Sequence, residues 1–421
     1  LKSQEEVRQL QIKYVSNRWQ IVKSFYTGIG KSAVLLPAAF LVAAGVGTVA
    51  LGMIFYVRDV FAATPSQVGY LTALWSLSYI MGCLFIRQAF NRVLPRFLLI
   101  ASTFLMSMFV LASVLSHRFF MVYVFYSLWG IAMSLFWPFI MGWLSYGIEG
   151  AKLGRVLSNY NFSWSIGTII SPFLAGILST FSSPLPLFFG SSLFFLTCVF
   201  IIGATLTLPK IKADRWIEAA KKSNTSLKDS STPLRFPSRI GLFTTYTVVG
   251  VILNIFPVYA QADLGVSKSL VGLILQQRAI FATVGFIVLG RTSFWHFKPS
   301  QMIVGQILLS AMVFLLQYTS MPFPLGILLA LIGILMSLSY FNSLFHGVSG
   351  SINRAGRMAI HESILSAGLI VGSSVGGILY EKYAMSTVYQ FCAALVLIGT
   401  VLQTGLVFKI HGKDAVMKNR R

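Results

Sequence analysis

Arg278 stands near the middle of a long apolar run, in Gln276-Gln277-Arg278, with Ala282 and Gly285 on the same helical face. A guanidinium at the centre of a membrane-spanning helix costs roughly 2.5–3.5 kcal/mol on insertion scales. Such a residue persists only where it faces a partner or a cavity. Two readings follow from its chemistry. It forms an ion pair with a carboxylate or caps free carbonyls, or it binds an anionic substrate through bidentate hydrogen bonds. Glu362 is the one acidic residue of eleven that falls inside an apolar run, and His361 is beside it. Burial and a nearby guanidinium act on a carboxylate in opposite senses, so a proton and an anion can compete at such a place. His361 and Glu362 are therefore candidates for proton coupling. The plainer alternative is a polar pair holding the inner end of its helix near Arg354 and Arg357.

Other residues could complete the wall of a cavity. Gln277 adjoins Arg278, and the position 203 residues earlier is Trp75, which would offer an aromatic face opposite the cation. Tyr160, Asn161 and Trp164, Trp137, Asn254, Tyr340 and Asn342 fall at comparable depths. Each alone is an ordinary packing residue or interface anchor; together they suit an organic anion with some apolar surface. His346 reads as a polar packing residue. Cys83, Cys198 and Cys392 lie in apolar runs without metal-ligand spacing or a disulfide framework, and no cofactor or metal is expected.

Three enzyme-like patterns do not survive their context. Gly372-Ser373-Ser374-Val375-Gly376 matches a nucleophile elbow but lies within an apolar helix rather than a strand-turn-helix. Gly30-Lys31-Ser32 resembles the end of a phosphate loop, yet Phe25 stands where its first glycine belongs. His361-Glu362 lacks the second histidine of a zinc protease, since Leu365 occupies that place. The chain is not expected to be an enzyme.

The elements that must position these residues are helices crossing a membrane. Hydrophobic residues make up 56% of the chain and charged ones 10%, far from soluble averages. A spanning helix needs about 20 apolar residues. Twelve such runs are expected near 33–57, 66–86, 97–116, 119–146, 157–180, 186–208, 240–261, 267–290, 300–318, 323–347, 356–380 and 385–408. Strand-like alternation is absent, which argues against a barrel. The second six runs repeat landmarks of the first: Val68-Gly69 and Val271-Gly272, then Gly82 and Gly285, are each 203 positions apart. Gly167, Ser171 and Ala175 are matched by Gly368, Gly372 and Gly376, 201 positions on. Spacing of four puts each stripe on one face, where another helix can approach closely, as tight packing or as a sliding contact between halves. The expected fold is all-α and polytopic, two pseudo-symmetric six-helix bundles in tandem.

Residues 1–32 read as an N-terminal cytoplasmic segment, 33–208 as the first bundle, 209–239 as a basic linker, 240–408 as the second bundle and 409–421 as a basic tail. The first thirty residues lack the apolar core of a cleavable signal, and a chain beginning at Leu1 suggests a missing initiator segment. The net charge of +22 is not a nucleic-acid footprint. With both termini in the cytoplasm, 28 of the 33 basic residues fall on the inner side. That is the positive-inside bias, with contact to anionic lipid headgroups. A bacterial inner membrane and a monomer are expected.

The chain from Ser32 to Phe408 resembles the major facilitator superfamily. In Gly167-Thr-Ile-Ile-Ser171-Pro172-Phe-Leu-Ala175-Gly176 the fifth span is similar to the glycine-proline stripe of the family's antiporters, with Ser171 and Ala175 replacing two glycines. After the second span Gly82, Leu84 and Arg87 fit the family's loop pattern, whereas Ile86 and Ala89 replace its acidic residue and later glycine. The resemblance implies alternating access around a midplane cavity, with Gly167, Pro172, Gly176, Gly368, Gly372 and Gly376 at moving contacts. The family's oxalate and monocarboxylate carriers also carry an arginine in span eight. A transporter of a small organic anion, by exchange or with protons, is the leading reading. An exporter of amphiphilic or cationic compounds, with Arg278 locked to Glu362, and a non-transporting membrane sensor or partner protein stay open.

Overall fold

The structure is a computed structural model that describes residues 30–86, 93–145, 150–208, 232–349 and 354–418. Most of the N-terminal segment, most of the linker and the last three residues lie outside the described residues, as do Arg87 and Ala89 of the loop pattern. The described residues form helices and no strand. Twelve helices are long and apolar enough to span a membrane. We number them α1 Ser32–Phe61, α2 Pro65–Phe85, α3 Pro95–Leu115, α4 Phe119–Leu144, α5 Asn159–Phe181 and α6 Leu185–Thr207. The second set is α7 Arg235–Ala262, α8 Lys268–Arg291, α9 Pro299–Tyr318, α10 Pro322–Gly347, α11 Gly356–Lys382 and α12 Met385–Ile410. They agree with the twelve expected runs within a few residues, α7 beginning five earlier.

Tight connections force neighbours to run antiparallel. Residues 62–64 turn α1 into α2, with Ala62 in the left-handed region at φ 50°. Thr64 then caps α2: its side chain accepts from the Gln67 amide, and Gln67 Oε1 accepts from the Thr64 amide at 2.9 Å. This connection marks what we call the far end of the molecule. The opposite, basic end carries Arg235, Arg291 and Arg357.

Two spans are broken, and proline explains where. In α7 the helix is interrupted at Ile255, before Phe256-Pro257. In α4 it is interrupted at Leu135-Phe136, just before Trp137-Pro138. Proline has no amide to donate, so the turn before it loses a hydrogen bond and can bend. Pro172 is carried inside α5 without such a break.

The internal repeat is visible atom against atom. Gly130 lies against the backbone of Trp75, and Gly333 against that of Arg278. Gly82 faces the Ser134 hydroxyl and Gly285 the Ser337 hydroxyl. Both hydroxyls donate one turn back, Ser134 to Ile131 O at 2.6 Å and Ser337 to Ile334 O at 2.7 Å. Gly167 abuts Phe40 and Ala44 of α1; Gly368 abuts Phe243 and Thr247 of α7. A Cβ at any of these glycines would press into neighbouring backbone or a short side chain. The small residues thus set the helix separation in both bundles.

Candidate functional site

The bundles meet along two seams, α2 against α11 and α5 against α8. On the first, Gly69 lies against Ser373 and Ser374, and Gly377 against Pro65 and Ser66. On the second, Gly176 lies against Lys268, Ser269 and Gly272, and Gly272 against Pro172. Backbone touches backbone at both, so the far end is shut. Polar contacts reinforce it: Lys268 of α8 pairs with Asp59 of α1, and the Ser66 amide donates to Glu381 Oε2 at 2.9 Å. Each bundle thus contributes one carboxylate that grips the first turn of the other bundle's second helix. Beside the first seam, Thr72 Oγ1 of α2 donates to Asn254 Oδ1 of α7 at 2.8 Å, a further bond between the bundles.

Below that closure lies Arg278, ten residues into α8 and about 15 Å from its start at 1.5 Å per residue. It is 7% exposed. Its Nη1 is 3.1 Å from Met336 Sδ, a weak acceptor, and its buried Nε has no hydrogen-bond partner. Among the described residues no carboxylate pairs with it; the described ion pair is Lys268–Asp59. The Arg278–Glu362 ion pair, one of the alternative readings of this arginine, is not formed here. Met336 lies against Arg278 and Tyr246 is near enough for its hydroxyl to act on the guanidinium; these two pack with Ala282, Phe286 and Tyr340 into one cluster. Trp164 of the first bundle reaches into this group, its ring 5.7 Å from Phe286 and 6.4 Å from Tyr340. The buried cation therefore sits between a closed far end and an aromatic layer shared by both bundles.

Glu362 and His361 are neighbours in sequence, but about 100° apart around α11 they meet different partners. Glu362 turns to the seam, where Tyr79 of α2 donates to its Oε2 at 3.4 Å. His361 turns into the second bundle: its Nδ1 is 3.0 Å from Ser343 Oγ and its ring 4.8 Å from that of Tyr340. The structure does not bring them together as one dyad.

The remaining candidates divide similarly. Trp164 and Tyr340 share the layer beside Arg278. Asn161 accepts from Trp164 Nε1 at 3.1 Å and so orients that ring. Gln277 is half-buried next to Gly326 of α10. Trp75 packs within the first bundle on Tyr79, Tyr126 and Trp129, with ring centroids 5.5–6.3 Å apart. Trp137 meets Tyr160 edge-on at 6.4 Å. Asn254 is committed twice, to Thr72 and, through Nδ2, to Gly250 O at 2.8 Å. Asn342 turns away from Arg278 into a small polar cavity inside the second bundle with Ser238, Gln306, Ser339 and Gln403. Gln306 organises that cavity, accepting from Thr244 at 2.9 Å and donating to Ser339 at 2.8 Å. Sequence reasoning missed Met336, Tyr79, Ser343, Thr72 and Tyr246. Each becomes a partner only through helix packing, which no spacing along the chain encodes. Gly167, Pro172, Gly176, Gly368, Gly372 and Gly376 all lie at close helix contacts, Pro172 and Gly176 directly on the α5–α8 seam.

Comparison with known proteins agrees with this geometry. A family model described as Major Facilitator Superfamily matches residues 35–352 and again 240–416. An uncharacterized MFS-type transporter of Methanocaldococcus jannaschii is 29% identical over 171 residues, 39% of this chain and 42% of the relative. The match thus spans less than half of that relative's length. Two crystal structures of the nucleoside transporter NupG, one of them a mutant, superpose with a TM-score of 0.68 at 14% identity. They cover 90% of this chain and 99% and 100% of theirs, a likeness of fold. Twelve spans in two pseudo-symmetric bundles, shut at one end over a buried polar centre, agree with the family match: the chain belongs to the major facilitator superfamily and is a membrane transporter rather than an enzyme.

Proposed function

We propose that this protein is a secondary active transporter of a small organic anion, held at the midplane by Arg278. The observation that carries the reading is the guanidinium itself, buried with no carboxylate partner among the described residues and with an unused Nε donor. Leaving a buried donor unpaired costs about 1–3 kcal/mol, more when the group is charged. A carboxylate arriving there would supply both the counter-charge and the acceptors. Trp164, Phe286 and Tyr340 would contact its apolar part, and Gln277 lies one residue from the guanidinium.

The basic end is assigned to the cytoplasm by the excess of Lys and Arg there, which places both termini inside. The shut far end then faces out, so the bundles must part there for the site to meet the outside. The seam glycines and Pro172 are the contacts that must part when the bundles rock. Glu362 handles the proton: its bond to Tyr79 crosses the α2–α11 seam, so a change of charge on it alters the grip between bundles. His361, tied to Ser343, positions the end of α11 and the Tyr340 ring. The chain works as a monomer in a bacterial inner membrane, with lipid and substrate as its partners.

A thermal-unfolding screen of the purified protein tests the reading. A ligand at 100 times its Kd stabilises a folded protein by about 2.7 kcal/mol. Small carboxylates are expected to stabilise the parent markedly more than Arg278→Ala. Stabilisation by neutral nucleosides or lipophilic cations, equal in both proteins, would sink it in favour of a neutral substrate or an amphiphile exporter.

A further inference from the structure

A second guanidinium lies on the basic side of this site. Arg239 is seven residues before Tyr246 on α7, two helical turns, so the two share a face about 10 Å apart along the axis. Tyr246 packs in the group around Arg278, its ring 6.4 Å from Tyr340. Arg239 stands near enough to Arg235 and Arg357 for their charges to act on it, and near enough to His361 to act in turn on that ring. His361 touches Tyr340, which packs in turn with Tyr246, the ring near enough to act on Arg278. One wall of the second bundle therefore runs from Arg239, past His361 and Tyr340, to Arg278.

Arg239 itself is half-buried, lies 5.9 Å from the Phe236 ring centroid, and has a buried Nη2 with no hydrogen-bond partner. Among the described residues no carboxylate pairs with it. Like charges gathered beside low-dielectric walls focus a field that concentrates anions and hastens their entry. We propose that Arg239, flanked by Arg235 and Arg357, is an oxyanion station at the basic mouth. It would take the carboxylate, phosphate or sulfate group of a substrate before that group passes along α7 to Arg278. The proposal rests on the anion reading above for its purpose, though not for its test. The same chemistry would suit the phosphate of an anionic lipid, so the experiment separates the two sources.

The probe is sulfate, added at constant ionic strength to the full chain in nanodiscs of neutral phosphatidylcholine, with the unfolding midpoint as readout. The parent, Arg278→Ala, Arg239→Gln and the double variant are compared, with Arg239→Lys to show that charge at this position permits folding. Sulfate is expected to raise the midpoint of Arg278→Ala by several degrees, and this rise should vanish in the double variant. A rise that survives Arg239→Gln in the Arg278→Ala background would overturn the station. So would a rise dependent on Arg239 that appears only when phosphatidylglycerol is present, since the site would then hold a lipid headgroup. Failure of the anion reading shows separately, as a single variant Arg278→Ala that responds to sulfate just as the parent does.

Discussion

The two bundles share a packing skeleton and differ in what they hang on it. At equivalent places Gly130 and Gly333 let a neighbouring helix come to backbone contact, and Ser134 and Ser337 turn their hydroxyls to Gly82 and Gly285. On that common frame the first bundle puts Trp75 where the second puts Arg278, and Trp137 where the second puts Tyr340. Trp75 stacks with Tyr79, Tyr126 and Trp129, whereas Arg278 is a buried cation; each keeps one buried N–H, Trp75 Nε1 and Arg278 Nε, without a partner, and only the arginine's carries a charge. Among the described residues the interior arginine, glutamate and histidines, Arg278, Glu362, His346 and His361, belong to the second bundle, while the first contributes neutral hydrogen-bonding groups such as Asn161 and Tyr79. Small residues thus fix the architecture twice over, while the recognition chemistry is built once, on one side of the cavity. The other side offers aromatic surface.

The comparison breaks first at the shared skeleton. Gly333→Leu and Gly130→Leu each force a side chain into backbone, and overpacking of this kind costs about 1–3 kcal/mol or more. Both are expected to lower the unfolding midpoint by similar amounts; a large loss in one bundle and none in the other would mean the repeat is only formal. The difference between bundles is sharpened by Arg278→Ala beside Trp75→Ala. Losing a charge-assisted anchor of about 1.5–3 kcal/mol should cut anion affinity on the order of 10- to 100-fold. The tryptophan change should act mainly on stability, which isothermal titration and calorimetry would separate. Gln306→Leu removes the hydrogen bonds to Thr244, Thr245 and Ser339 across the polar cavity, and a destabilisation of about 1–3 kcal/mol is expected with anion affinity retained. The smallest effect belongs to the far-end latch. Asp59→Asn removes a part-exposed ion pair worth about 0–1 kcal/mol. It should barely change stability yet raise labelling of a cysteine placed at Ser374, which lies against Gly69 on the α2–α11 seam, by an impermeant thiol reagent; unchanged labelling would remove Asp59–Lys268 from the gate.

Much of the fold was legible because membrane burial writes itself into composition. Twelve apolar runs, their repeat and the glycine stripes all follow from rules local to the chain, and the helices agree with them closely. The breaks were half visible: Pro138 and Pro257 marked them, while Pro172 passes through α5 unbroken. The site was legible only as a set of residues expensive to bury. Arg278 and Glu362 stood out for that reason, but their pairing was open, and the structure leaves them apart. His361 and Glu362 looked like one unit in sequence, and helical geometry sends them to Ser343 and Tyr79. Asn254 and Asn342 fell at a suitable depth, yet one is spent on the seam and the other faces the interior of its own bundle. Depth along a helix can be read from sequence; direction around it depends on which neighbour is packed there.

The central claim is that Arg278 is left without a carboxylate so that a substrate can provide one. The most direct measurement is uptake of labelled oxalate, lactate and succinate into liposomes containing only this protein, for the parent, Arg278→Lys and Arg278→Ala. The account predicts saturable uptake of at least one of these anions by the parent, weakened in Arg278→Lys and abolished in Arg278→Ala. Anion uptake that persists unchanged in Arg278→Ala would contradict it and make the buried guanidinium a structural residue.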